Sequence, residues 1–302
     1  MPVMNRTDFA NGLEQGMNTY FGMSYRSFPE EWRKIYEVSN TEKATEFDVL
    51  LTGTGPAQVK AEGASAFMDS GGEAWTARYV METVAIQIGI TEEAIEDNLY
   101  ISLGQKYAKW VARSMQHTKE VKAAAILNNG FTTFKSGDDV ELFSTAHTLA
   151  KGGTASNKLA TPADFMESSL EDILIQNRRM VDDAGIPVSN MPVRVILAPE
   201  QEYEACRILD SQMRVGTSDN DVNAVKYKGI FTQPPHIMTR LTAAKAWFVQ
   251  TDCPDGLKHF NRKSIMTRVK TEHSTGNYLY LARERYDFGA TDWRGILGSE
   301  GT

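Results

Sequence analysis

Cysteine, histidine and net positive charge are all scarce in this 302-residue chain. Its two cysteines, Cys206 and Cys253, form no CxxC pair and stand in no secretory context, which argues against a disulfide framework and for free thiols. The net charge of −7 excludes a protein that wraps nucleic acid with its whole surface, although one basic face could still lie beside it. No run approaches the ~18 apolar residues of a membrane span. Asp8 and Glu14 stand where a signal peptide would be apolar, so a cytoplasmic protein without membrane partners is expected.

The signatures of catalysis are missing too. The chain contains no GxGxxG after a strand, no GxxxxGK[ST], no HExxH and no GxSxG. Its five histidines are scattered, and His147, in the polar stretch Ser144 to His147, reads as a hydrogen-bonding loop residue rather than a catalyst. Asp219, Asp221 and Asn223 imitate the opening of a calcium loop. Ala224 stands where that loop needs glycine and Ile230 where it needs the bidentate glutamate, so the match fails. No catalytic residue, cofactor or metal ligand is therefore expected, and the chain does not read as an enzyme.

What is present is an ordinary globular composition, 41% apolar and 24% charged, organised around Thr91 to Gly130. Thr91 is a candidate N-cap, Glu92 and Glu93 follow it where the helix dipole favours acids, and Asn128, Asn129 and Gly130 supply a stop. Asp97, Asn98 and Gly104 are poor helix formers. The spacing thus predicts a short helix over 92–97, a break, and a long helix over 103–128. Leu103, Tyr107, Val111 and Met115 recur every four residues, while Lys106, Lys109, Arg113 and His117 fall on the other side. Lys106, Lys109 and Arg113 are the candidate contacts to nucleic acid; a solvated helix face is the alternative, since Glu120 continues that side and no aromatic residue is interleaved for stacking.

Ahead of the helix lie two segments with few local partners. Residues 1–45 carry Phe9, Leu13, Met17, Tyr20 and Phe21 at helical spacing, then Phe28, Trp32 and Tyr36 among charges. Phe47, Val49 and Leu51 alternate as a strand, residues 57–75 are Gly-, Ala- and Ser-rich, and 76–91 alternates again with a phase slip near Thr83. Two strands joined by a long polar segment make a protruding loop that must be held by another surface. Phe21, Trp32, Tyr36, Trp75 and Tyr79 are the aromatics short of local cover, and hence the candidate contacts between subunits. Further on, Thr161 and Pro162 predict a helix start, Val193 to Leu197 a buried strand, Pro199 to Leu209 a helix, and Ile265 to Val269 with Tyr278 to Phe288 a hairpin.

This order of segments resembles the major capsid proteins of tailed phages, the Hong Kong 97-type fold shared with encapsulins, and within it the Mu-like head subunits. Besides the helix and the extended loop, the likeness rests on Gly185, Ile186 and Pro187 after a helix, Val195 to Pro199, Asn220 to Gly229, Trp247 and Phe248, and Arg283 to Ile296 with Phe288, Gly289, Trp293 and Arg294. It implies an α+β fold with an N-terminal arm (1–45), an extended β loop (46–83), a peripheral domain carrying the spine helix (84–135 and 263–302) and an axial domain (136–262). It also implies hexamers and pentamers in an icosahedral virion head around double-stranded DNA, assembled in the host cytoplasm, with a portal and a decoration protein as further partners. A separate scaffolding protein is expected, because no long helical extension precedes the arm. Lys60 lies in the extended loop, where some relatives crosslink, but no partner acid and Asn can be recognised. The rival readings are an encapsulin-like compartment and, from another class, a soluble α+β enzyme.

Overall fold

The chain changes sheets at Met81. In the computed structural model, which describes residues 18–91, 100–213, 221–272 and 277–302, the stretch expected as one strand over 76–91 is two: β3 (Gly72–Val80) and β4 (Glu82–Ile90). Met81, 3% exposed, donates its N–H to the Ala44 carbonyl at 3.0 Å. The phase slip in the sequence is this crossing. β3 pairs antiparallel with β2 (Thr45–Thr52) as a two-stranded ribbon, whereas β4 joins a different sheet.

That first sheet has the order β1-β10-β11-β4, with β1 (Glu37–Asn40) parallel to β10 (Leu257–Thr271) and β11 (Tyr278–Ala290) antiparallel to both β10 and β4. The expected hairpin is therefore present, and its strands are longer than the alternation suggested; its turn at Ser274 to Gly276 lies outside the described residues. One face is covered by the long helix α2 (Tyr100–Asn128) and by a helix over 18–27 (α1). Ala108 and Ala112, fully buried, let α2 approach the sheet closely, and Val111 and Met115 fill the space against Phe21, Ile90 and Tyr280. The short helix expected over 92–97 falls outside the described residues, as does the side chain of Leu103.

After a small separate pair, β5 (His147–Thr148) and β6 (Thr154–Ala155), the second sheet has the order β12-β9-β7-β8, from β7 (Pro192–Leu197), β8 (His236–Ile237), β9 (Trp247–Thr251) and β12 (Ile296–Ser299). Helix α3 (Glu167–Arg178) packs its Leu170, Ile173 and Leu174 into the same core as Val195, Trp247, Phe248, Trp293 and Leu297. The helix expected from Thr161 begins six residues later. Backbone groups of 163–164 are engaged elsewhere: the Ala163 carbonyl accepts from Trp247 Nε1 (2.9 Å) and Ser299 Oγ (2.8 Å), which holds this stretch extended. The α4 helix (Glu202–Asp210) follows a short turn of helix at Pro199, as expected. Strand β12, read in the sequence with the peripheral part, instead pairs with β9 in the second sheet. The closing segment thus crosses from one sheet to the other.

Candidate assembly surfaces

The ribbon has two unlike faces because side chains alternate along it. Asp48 and Leu50 of β2, with Trp75, Ala77 and Tyr79 of β3, turn toward the body. Tyr79 OH donates to Thr291 Oγ1 at 2.7 Å, since that hydroxyl in turn donates to Asp48 Oδ2 at 2.6 Å. Lys258 Nζ lies 2.5 Å from both Asp48 and Asp255, and Trp75 Nε1 donates to the Thr291 carbonyl at 3.0 Å. Two glycines complete the seat: a Cβ on Gly289 would stand 2.5 Å from the Tyr79 ring, and one on Gly137 would stand 2.3 Å from Trp75. The opposite face leaves Phe47 (59% exposed), Val49 and Leu51 (70%) uncovered. Beyond them the segment 53–71 carries Val59 and Met68 almost wholly in solvent and Phe67 more than half exposed.

The expected contact aromatics are therefore corrected. Phe21, Trp32, Tyr36 and Tyr79 are each buried by their own chain, and Trp75 is half-buried against the core. Trp32 packs on His259 (4.5 Å) and Phe288 (5.5 Å), Tyr36 OH donates to the Ala123 carbonyl at 2.7 Å, and Phe21 stacks on Tyr25. Segments distant in sequence supply the cover that local sequence lacked. The arm is further held by Glu120, whose carboxylate accepts from the backbone N–H groups of Glu31 (2.8 Å) and Trp32 (3.1 Å). Burial pushes the Glu120 carboxyl up to about 7. Glu31 in turn accepts from the Thr239 N–H at 2.9 Å and from Arg240 Nη1 at 3.3 Å, so the arm bridges α2 to the second sheet's connections.

Lys106, Lys109 and Arg113 do lie together and exposed on one side of α2, with His117 beyond them. Two details differ from the expectation. Glu120 is turned into the arm and is 3% exposed, so it does not continue this face, and an aromatic is interleaved after all: Trp110, 62% exposed, edge-on to Tyr107 at 5.4 Å. Its i, i+3 spacing to Arg113 was the available signal.

A second cationic surface has no local signature in the sequence. On the first sheet, Tyr280, Ala282, Glu284 and Tyr286 of β11 are buried, so the alternate residues Leu279, Leu281, Arg283 and Arg285 occupy the other face. Register places Arg283 between Met266 and Ala85, Leu281 between Arg268 and Gln87, and Leu279 between Lys270 and Gly89. Among the described residues, Arg268, Lys270, Arg283 and Arg285 have no carboxylate partner. Pairing these residues needs the register of three strands, which no local pattern contains.

The polar residues weighed as sites are structural. His147 is wholly buried, with Nδ1 2.6 Å from Asp138, Nε2 3.2 Å from Asn157 and its ring stacked on Trp293 at 4.3 Å. Asn223 caps a five-residue helix, α5 (Ala224–Lys228), by accepting from the N–H groups of Val225 and Lys226; Asp219 lies outside the described residues. No group of acidic, His or Cys side chains among the described residues could hold a metal ion.

Comparison with known proteins agrees with this architecture. The family described as "Phage capsid protein" matches residues 73–298. No curated protein matches the sequence. Among solved structures, one described as Mycobacterium phage Adephagia is similar at a TM-score of 0.58 and 12% identity, with 91% of each chain covered. The procapsid of bacteriophage JBD30 gives 0.52 and 14%, over 97% of this chain and 75% of that one. The virus-like particle from Pyrococcus furiosus gives 0.53 and 9%, over 94% and 98%. At these identities the likeness is one of fold.

Proposed function

The chain belongs to the phage capsid protein family, and from that premise we propose that it assembles as hexamers and pentamers into an icosahedral head around double-stranded DNA. It is a structural major capsid protein. We take 1–45 as the arm, 46–83 as the extended loop, 84–135 with the β10–β11 hairpin as the peripheral domain, and the middle of the chain with β12 as the axial domain.

The observation that carries the mechanism is the ribbon. One face is bonded rigidly to its own subunit, while Phe47, Val49 and Leu51, and the tip with Val59, Phe67 and Met68, are exposed. An apolar row of this kind is destined for another surface. The loop also carries Glu62, with Glu73 at the start of β3, and these suit the Arg and Lys row that lacks carboxylate partners on a neighbouring copy's first sheet. A specific contact buries ~1,200 to 2,000 Å², and repetition around a shell multiplies a modest interface. In this reading Trp75 and Tyr79 seat the ribbon and do not make the contact. Lys106, Lys109 and Arg113 line the lumen against DNA, bound through phosphates without sequence preference. A separate scaffolding protein, a portal and a decoration protein complete the head.

The test is the double variant Phe67→Asp, Met68→Asp, followed by light scattering and negative-stain imaging. Its melting temperature should match the wild type while shells and capsomers are lost. Normal particles from that variant would refute the ribbon as the contact. Replacing Lys106, Lys109 and Arg113 by Gln should weaken DNA retention under salt and heat; equal retention would remove DNA from that face.

A further inference from the structure

Of the five tryptophans, all of them among the described residues, Trp32, Trp247 and Trp293 are buried and Trp75 is half-buried against its own chain, whereas Trp110 stands 62% exposed on the outer side of α2. Its setting is not that of a stray surface aromatic. At about 100° per residue, Lys106, Lys109, Trp110, Arg113 and His117 share one stripe of the helix, and all of them are exposed. The stripe contains no acid, and Lys106, Lys109 and Arg113 have no carboxylate partner among the described residues. Tyr107 meets the indole edge-on at 5.4 Å and supports it from the side. Beside Trp110 opens a groove of about 440 Å³ lined also by Phe28 and Pro29 of the arm. Glu120, which lines it too, is committed to the backbone N–H groups of Glu31 and Trp32 and does not answer the cations.

A row of cations with a flat aromatic between them answers to two parts of a nucleic acid. Lys106, Lys109 and Arg113 follow one another at about 4.5 and 6 Å along the axis and suit phosphates. The indole suits the face of a base, and such stacking tolerates any sequence because every base has a π-face. In a duplex those faces are covered by the neighbouring bases, so a straight helix laid on its surface meets phosphates and base edges alone. Unpaired nucleotides offer phosphates and open faces together. A second copy of this chain fits less well. Its exposed loop residues Phe67 and Met68 would cover Trp110 but bury the cations without acceptors, since the adjacent Asp69 is spent on the N–H groups of Gly55 (2.5 Å) and Ser70 (2.9 Å).

We propose that this stripe is a site for unpaired nucleotides. Phosphates lie on Lys106, Lys109 and Arg113, one base stacks on Trp110, and the groove beside Phe28 receives it. The inference rests on the reading of these three cations as DNA-facing. It adds a base contact, and with it a preference for single-stranded over duplex DNA that phosphate binding alone does not produce.

The test uses the full-length chain with fluorescein-labelled oligothymidine and a labelled DNA duplex of equal length, read by anisotropy over a salt series, and tryptophan emission with the unlabelled strands. Oligothymidine should bind more tightly than duplex and quench the emission, and the quench should vanish in Trp110→Ala. That variant should weaken oligothymidine about tenfold, as expected for one stacked base, with duplex affinity and the salt slope unchanged. Trp110→Phe should keep most of the preference. Replacing Lys106, Lys109 and Arg113 by Gln should weaken both ligands and lower the oligothymidine salt slope by about 2. Equal affinity for the two DNAs would overturn the proposal, as would unchanged oligothymidine affinity in Trp110→Ala. Loss of particles in that variant with its oligothymidine affinity intact would also overturn it and assign the indole to a second copy. The two readings fail separately. A triple Gln variant that loses duplex binding, beside a Trp110→Ala variant with wild-type affinities, defeats the stacking site alone; a triple variant with unchanged binding of both DNAs defeats the DNA-facing stripe and the proposal with it.

Discussion

Replacing Gly289 by alanine tests whether a rigid ribbon seat is needed for assembly. The added methyl would stand 2.5 Å from Tyr79 Cε1 and 3.2 Å from Cδ1. The ring has nowhere to go: Tyr79 is 3% exposed, packs on Phe260 at 4.7 Å and is pinned by its hydroxyl to Thr291 at 2.7 Å. Overpacking of this kind costs about 1 to 3 kcal/mol. Two responses are open to the chain. The body can absorb the strain, or the ribbon can lift, giving up the Tyr79, Asp48 and Lys258 bonds that hold it. The second is cheaper in packing, because the ribbon's other face leaves Phe47, Val49 and Leu51 exposed and so has little cover to lose. The expected result is a folded chain whose melting point falls by a few degrees, at roughly 2 to 4 °C per kcal/mol for a large domain, together with faster proteolysis within 53–71 and a loss of particles. Gly71→Ala, at a loop glycine where the added Cβ meets only the Thr52 carbonyl at an ordinary 3.6 Å, is the control and should leave the seat intact. Normal particle yield with an unshifted melting point in Gly289→Ala would refute the rigid seat.

Three other outcomes follow from single contacts. Gly22 lies inside α1 with nothing within 4 Å of an added Cβ, so Gly22→Ala should stabilise by roughly 0.5 to 1 kcal/mol, seen as a raised denaturation midpoint. Lys119, 3.4 Å from buried Glu284 and 4.8 Å from the centres of the Trp32 and Tyr286 rings, leaves an unpaired buried acid when replaced by Met; a loss of about 3 to 5 kcal/mol is expected by denaturant titration. Burial already outweighs Lys119 and holds the Glu284 carboxyl above its usual range. Glu120, pushed up to about 7 from 4.5, binds a proton in the folded chain over that window that the unfolded chain lacks, so acidification through it stabilises. Buried His236 and His259, pushed down to about 4 and about 3, act in the opposite sense below 6.5. The Glu120 effect is therefore read as the difference in melting point between wild type and Glu120→Gln from pH 8 to pH 5, which should widen in favour of the wild type as pH falls; a constant difference would count against it.

Elements whose cause is local were legible from the residues alone. Periodicity and end signals placed α2, the Phe47 to Leu51 strand, β7, α4 and the β10–β11 hairpin, because helix and strand periods are properties of neighbouring residues. The basic row Lys106, Lys109, Arg113 was legible for the same reason, and the order of segments carried the resemblance to capsid proteins. Whether an aromatic is covered is not a local property. Trp32 is buried by His259 and Phe288, more than two hundred residues away in sequence, and Tyr79 by Phe260 and Gly289, so residues that lacked local cover proved to be anchors inside the subunit. The same alternation that turns Trp75 and Tyr79 inward leaves Phe47 and Leu51 outside, yet only the bonds to Thr291 and Lys258 decide which side is in. The cationic sheet face likewise exists only once β10, β11 and β4 are in register. Long-range pairing sets it, and no stretch of sequence contains both partners.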